Sequence, residues 1–321
     1  SAATLTDSIP AGEILTNIIP DSIDSTKTPV DSVTKKRTFF RRFADYFVNA
    51  NKPHPNKKFD FSIIGGPQYS STTSLGIGLV AAGVYRMDQH DTITQPSVMS
   101  VYGNVSITGF YLLGVRGTNI FPGDKYRLLY NLYFFSFPSN FWGWGYHDGA
   151  NEDNKSTYLR LQNQVKLDFL FRLSHNLYLG PMVSFDYVSG RDFSKPELLH
   201  GQEKTTLTTG VGASISYDTR DLITNAYKGI YLKFEQGIYP SFMGNKYAFY
   251  MTDVIVDWYK RIWKGGVIAI DFHSKFNYGD VPWTMMNRLG GVARMRGYYE
   301  GQYRDNNITE LQVELRQHIW R

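Results

Sequence analysis

The stretch TYLRLQNQVKLDFLFRL, residues 157–173, alternates for long enough to decide the fold. Leu159, Leu161, Val165, Leu167, Phe169, Phe171 and Leu173 fall on one face. Arg160, Gln162, Gln164, Lys166, Asp168 and Arg172 fall on the other. Successive side chains of a β-strand point to opposite faces, so this is a strand with one apolar and one charged side. Each side runs roughly 50 Å at ~3.3 Å per residue. Strands of soluble proteins are usually much shorter. An apolar face of this length needs a cover, which is either a second sheet or lipid.

The same period of two recurs outward from this stretch. It defines twelve segments, at 59–69, 74–87, 97–109, 110–120, 125–137, 157–173, 175–188, 205–217, 228–239, 246–260, 266–278 and 308–320. Turn chemistry separates them at Gly123-Asp124, Ser174-His175-Asn176, Gly244-Asn245 and Lys264-Gly265-Gly266. Long connections, at 138–156, 189–204 and 279–307, tend to alternate with short ones. Tyr178, Tyr187, Tyr231, Tyr239, Tyr247, Tyr259 and Trp258 lie near strand ends, where interfacial aromatic belts sit. The Phe141–Tyr146 loop either joins that belt or folds over a barrel mouth. Many long strands with aromatic ends favour lipid as the cover. The expected fold is all-β, a transmembrane antiparallel β-barrel over residues 59–321, in a bacterial outer membrane and in contact with its lipid.

Composition narrows the chemistry. The chain has no cysteine, which excludes disulfides, thiolate metal sites and cysteine catalysis. The longest mainly apolar run, Leu75 to Tyr85, has 11 residues and three glycines, too short for a spanning helix. The net charge of +5 is spread along the chain and gives no reason to expect a nucleic-acid partner. No His-x-x-x-His pair, Walker loop, dinucleotide fingerprint or Gly-x-Ser-x-Gly elbow occurs. Asn151-Glu152-Asp153-Asn154 offers oxygen ligands without EF-hand spacing. Asp253 and Asp257 alternate inward and stand about 13 Å apart on one strand, a lumenal charge ladder rather than a catalytic pair. The reading is a protein that is not an enzyme and has no cofactor or metal.

Residues 1–58 read as an N-terminal extension. The first 34 have no sustained period. Within 35–50, Phe39, Phe40, Phe43, Tyr46 and Phe47 share a helical face, with Lys35, Lys36, Arg37, Arg41 and Arg42 around it and Thr38 as N-cap. Such a helix either packs on its own protein or lies at a membrane surface or barrel mouth.

Two motifs go beyond composition. One is Tyr217-Asp218-Thr219-Arg220-Asp221 followed by Lys228-Gly229. The other is Gly290-Gly291, then Arg296-Gly297-Tyr298, then the alternating strand towards Trp320. In this order and spacing the chain resembles the barrel of the BamA/TamA-type outer-membrane assembly superfamily, the bacterial surface antigens. Its aromatic-rich spacing is similar to Bacteroidetes-type versions. The resemblance covers about 59–321, best 205–321. Met295 stands where relatives often have Val or Ile, and Ala226 where the hairpin often has Pro.

The resemblance implies sixteen strands, of which this chain carries twelve. The sequence is then a fragment of a longer chain, a twelve-strand barrel, or a barrel completed by a partner, with the fragment favoured. It implies a long sixth loop, 282–306, folded inward, with Arg296, Gly297 and Tyr298 at its tip. Glu314 is on the charged face of the next strand, and in the family the corresponding glutamate meets the loop arginine. It also implies that Asp218, Thr219, Arg220, Asp221 and Gly229 brace a periplasmic hairpin, the alternative being a solvated turn. The 58 residues before the first strand are too few for a POTRA domain. The function implied is insertion or assembly of outer-membrane proteins, as a subunit of a larger complex. The alternatives are a polypeptide or lipid transporter of the same fold and a passive pore or structural subunit.

Overall fold

The computed structural model describes residues 59–70, 74–88, 91, 94–291 and 293–319. The expected extension over 1–58, with its helix at 35–50, lies outside them. All twelve expected strands form. They are β1 (Phe59–Ser70), β2 (Ser74–Tyr85), β3 (Ser97–Ser106), β4 (Tyr111–Ile120), β5 (Tyr126–Phe141), β6 (Ser156–Ser174), β7 (Leu177–Arg191), β8 (Thr205–Asp218), β9 (Gly229–Tyr239), β10 (Phe249–Trp263), β11 (Gly266–Gly279) and β14 (Asn307–Gln317). Each is hydrogen-bonded to its chain neighbours, antiparallel throughout, in one twelve-stranded sheet with β1 and β14 at the ends of the order. Two short strands, β12 (Asn287–Arg288) and β13 (Arg304–Asp305), pair with each other inside the last long connection. One short helix, α1 (Gly145–Ala150), sits between β5 and β6.

Because the sheet is a meander, connections alternate between its two ends. The loops after β5, β7 and β11 share one end, here the loop end. The turns after β4, β6, β8 and β10 share the other, here the hairpin end. The register carries the alternation of β6 into its neighbours: Lys166 lies opposite Asn131 on β5 and Ser184 on β7, whereas Val165 lies opposite Leu132 and Phe185. The polar positions of β6 are the buried ones: Arg160, Gln162 and Asp168 are inside the curved sheet. The apolar set of the same strands is outward, with Val183, Phe185, Leu207, Ile215, Leu232 and Phe234 exposed. A sheet that buries its charges and exposes its aliphatic side chains has the pattern of a membrane barrel.

The aromatic belt differs from the expected one. Tyr178 and Tyr239 are buried in the interior, with Tyr231 and Tyr259 on the same inward parity of their strands. Tyr178 and Tyr231 serve there as platforms for arginines. Of the expected set, Tyr187 and Trp258 are on the outward parity of their strands. Further outward aromatics near strand ends include Tyr126, Phe171, Tyr217 and Trp263 at the hairpin end, and Tyr250 and Tyr278 at the loop end. Proximity to a strand end does not settle the face; parity does. The Phe141–Tyr146 loop folds over the mouth, where Trp142 is buried and its ring lies 5.3 Å from that of Tyr299.

Val165 is at the middle of β6 on the outward face. Val165→Arg is expected to destabilise the folded sheet in lipid by ~2–4 kcal/mol, while Val165→Phe leaves it nearly unchanged. Urea titration of the folded fraction in phospholipid vesicles measures both. An arginine variant as stable as the parent would place this face away from lipid.

Candidate functional site

The connection from β11 to β14, residues 280–306, runs back along the inner face of the sheet, as expected for the sixth loop. It leaves through Gly279 (φ +109°), where a side chain would crowd the Ala248 carbonyl at 2.8 Å. Two apolar clusters draw it in. Val281 and Met286 pack with Met182, Tyr239, Phe249 and Met251. Trp283, fully buried, packs with Phe141, Tyr158, Val188, Phe193 and Leu199. Hydrogen bonds fix the position: the Trp283 indole donates to the Glu203 carbonyl at 2.8 Å, and the Asn277 amide donates to the Met285 carbonyl at 2.9 Å. Asn287 donates to the carbonyls of Lys275 (3.0 Å) and Asn306 (2.6 Å). The Gln302 amide donates to the Gly149 carbonyl of α1 at 3.0 Å, which ties the loop to the mouth.

The tip of the loop turns between Met295 and Tyr298, whose N–H donates to the Met295 carbonyl at 3.0 Å. Met295 adopts φ +51°, a left-handed conformation. On its near side, Arg294 grips Asp271 of β11 with two charge-assisted bonds, Nε to Oδ2 at 2.8 Å and Nη2 to Oδ1 at 3.1 Å. Gln312 of β14 completes the grip. Its Oε1 accepts from the Met295 N–H at 3.1 Å and its Nε2 donates to Asp271 at 3.3 Å.

Arg296, Gly297 and Tyr298 form the far side of the turn, with Arg296 and Tyr298 on the exposed side. Glu314 lies on the polar face of β14, as its parity demands, and its carboxylate takes Arg316 of its own strand at 3.1 Å. The loop arginine bonded to Asp271 is Arg294, and the left-handed residue Met295 sets its direction apart from that of Arg296. Arg294 and Asp271 were not singled out in the sequence. The available signal was the inward parity of Asp271 with His273, Lys275 and Asn277.

At the hairpin end, the second motif forms a clamp. Thr219 Oγ1 accepts from the Ile230 N–H at 2.9 Å, and Asp221 Oδ1 accepts from the Tyr227 N–H at 2.9 Å. Gly229 has φ +114°, and a Cβ there would come within 2.4 Å of the Thr219 carbonyl oxygen. Asp218 sits between two guanidinium groups, Arg220 at 2.9 Å and Arg127 at 3.1 Å. Arg127 also holds Asp124 at 2.7 Å, and the Tyr178 hydroxyl donates to Asp124 at 2.5 Å. Burial acts against the charge of Arg220, but bonding and attraction to Asp218 outweigh it and raise its pKa above the ordinary arginine value. The Gln95 amide donates to the Arg220 carbonyl at 2.7 Å, which brings in the β2–β3 loop. Arg127, Asp124 and Tyr178 complete this cluster from strands far along the chain, beyond the reach of a local motif.

Asp271→Asn is expected to loosen the tip by about 1–3 kcal/mol, the cost of weakening a charged hydrogen-bonded pair. Trypsin cleavage at Arg294 or Arg296 should rise accordingly, while Glu314→Gln leaves it near the parent rate. The reverse order of effects would assign the anchor to Glu314.

The family comparison agrees with this geometry. The model of the Omp85 superfamily domain matches residues 117–320, more than half of the chain. No curated protein matches. Among solved structures, the chain is similar to the crystal structure of BamA from Haemophilus ducreyi lacking POTRA domains 1-3, at 13% identity and a TM-score of 0.45. That match covers 81% of this chain and 53% of the other, so the chain spans about half the length of that relative. The family match covers both motifs and the inward loop, and the chain belongs to the Omp85 superfamily.

Proposed function

We propose that this chain is the barrel of an outer-membrane assembly factor that promotes insertion of other outer-membrane proteins, working with further subunits of a larger complex. The observation that carries this reading is a lumen occupied by the protein's own loop. The loop is packed through Trp283, Val281 and Met286 and bonded to β11 and β14 through Arg294, Asp271 and Gln312. An interior filled in this way does not suit a steadily open pore. It leaves the membrane-facing wall as the working surface.

The test is insertion in a defined membrane. The full chain is reconstituted in phospholipid vesicles, and a urea-unfolded eight-stranded outer-membrane protein is added. Folding is followed by the shift in its electrophoretic mobility without heating. Faster folding than in empty vesicles supports the proposal. No acceleration together with a steady single-channel conductance would move the assignment to a passive pore. No acceleration with lipid or polypeptide transfer between compartments would move it to a transporter.

A further inference from the structure

Away from the Arg294–Asp271 contact, a cavity of about 340 Å3 lies between the inward loop and the wall built from β3 to β6. Its size falls in the range of small-molecule sites, roughly 300–1,000 Å3. Four guanidinium groups line it, from Arg116, Arg160, Arg288 and Arg304, against one carboxylate, Glu300. Arg288 takes Glu300 at 2.8 Å. Among the described residues, Arg116, Arg160 and Arg304 have no carboxylate within ion-pair distance.

Two of these three are deeply buried. Arg160 is 5% exposed and Arg304 4%, and the Nε of each has no hydrogen-bond partner. Aromatic faces give partial compensation: Arg160 lies over Phe135 at 5.3 Å and Arg304 over Phe141 at 5.0 Å. Arg116 lies over Tyr102 at 5.9 Å. Arg304 also donates to the Trp283 carbonyl at 3.1 Å. Burial pushes the Arg304 guanidinium down to about 10; Tyr158 opposes the effect, and Arg288 and Arg160 add to it. Three buried or half-buried positive charges lining one cavity are costly without an anion.

We propose that this cavity binds a phosphorylated organic ligand. The charge excess selects phosphate. One carboxylate brings a single negative charge, whereas a phosphate monoester carries about −1.5 to −2 at neutral pH and three acceptor oxygens. Guanidinium groups meet such oxygens in pairs of parallel bonds. Tyr133, Phe135 and Tyr158 give the same cavity flat faces for the organic part. The phosphate belongs either to a soluble sugar phosphate or to the headgroup of a phosphorylated lipid. The site needs the loop in its inward position but does not depend on the assembly reading, and its test involves no insertion assay.

The experiment uses the full chain in neutral maltoside micelles without phosphate, with thermal unfolding followed by tryptophan fluorescence. The probes are glucose 6-phosphate, glucose, inorganic phosphate, and short-chain phosphatidic acid beside the matching diacylglycerol. A saturable rise in the midpoint with glucose 6-phosphate and not glucose supports a soluble ligand. A rise with phosphatidic acid and not diacylglycerol supports a lipid headgroup. Arg160→Gln should weaken the apparent affinity at least tenfold, and Lys246→Gln, on the exposed β9–β10 loop, should leave it unchanged. If Arg160→Gln does not fold, the half-buried Arg116→Gln replaces it, with a several-fold loss expected. No saturable shift with either organic phosphate, equal shifts in parent and variant, or equal affinity for inorganic phosphate alone would overturn the proposal.

Discussion

Lys166 and Asp168 on β6 meet Lys233 and Glu235 on β9 across the interior, with Lys233 bonded to Asp168 at 2.7 Å and Lys166 bonded to Glu235. Two whole strands separate β6 from β9 in the sheet. These side chains meet only because the sheet curls tightly here and the strands between them are lined with small residues. The inward positions of β7 and β8 include Gly180, Ser184, Gly212 and Ser214. Gly180 and Gly212 lie so close to neighbouring backbone that a Cβ would come within 1.8 Å of the Phe169 carbonyl oxygen or 2.1 Å of that of Gln236. The curl lets the charges pair, and the pairing keeps buried charges from being left alone, which is the expensive alternative. Breaking one member would strand the others.

The remaining interior follows the same rule at both ends. At the hairpin end, Asp218 is shared by Arg127 and Arg220, so β5, β8 and the β8–β9 hairpin are joined through one carboxylate. In the last part of the sheet, His273 lies between Asp253 at 3.0 Å and Glu310 at 3.1 Å, and Asp271 takes Arg294 from the loop. The loop does more than fill space. It supplies a cation to a wall that carries Asp253, Asp257, Asp271 and Glu310 within three strands. The β3–β6 wall is the contrasting case, since its arginines exceed the carboxylates the loop brings to them.

How much of this was legible depends on the range of the signal. Strand existence was legible because it is local: the alternation in 157–173 fixes both the strand and its faces, and the twelve expected segments correspond to twelve strands in order. Ends were less so. β5 continues to Phe141, which packs on Trp283 of a distant loop, and β7 to Arg191, which stays paired with β6, beyond the expected 137 and 188. The hairpin motif was legible as Asp218, Thr219, Arg220 and Asp221, but Arg127 and Asp124 were not, since nothing local links them to residue 218. At the tip the motif was legible, but the Arg294–Asp271 pair was not: it needed the backbone of Met295, which no alternation pattern describes.

The position of Gln312 links the loop to two strands at once. It stands on β14, which is paired only with β11 among the described residues, and it bonds both the loop backbone at Met295 and the carboxylate of Asp271. Arg294 bonds Asp271 alone. If β14 separates from β11, the loop keeps its arginine anchor on β11 and loses its backbone anchor on β14. If the loop leaves, Asp271 keeps Gln312 but loses its cation, close to Asp257 and Glu310. The two movements therefore break different contacts: parting the strands breaks the backbone ladder together with the His273–Glu310 and Gln312–Asp271 bonds, whereas expelling the loop takes the arginine from Asp271. Fully separated backbone pairs and an unpaired buried carboxylate are both unfavourable, but only the former can be replaced by another strand presenting the same N–H and C=O groups.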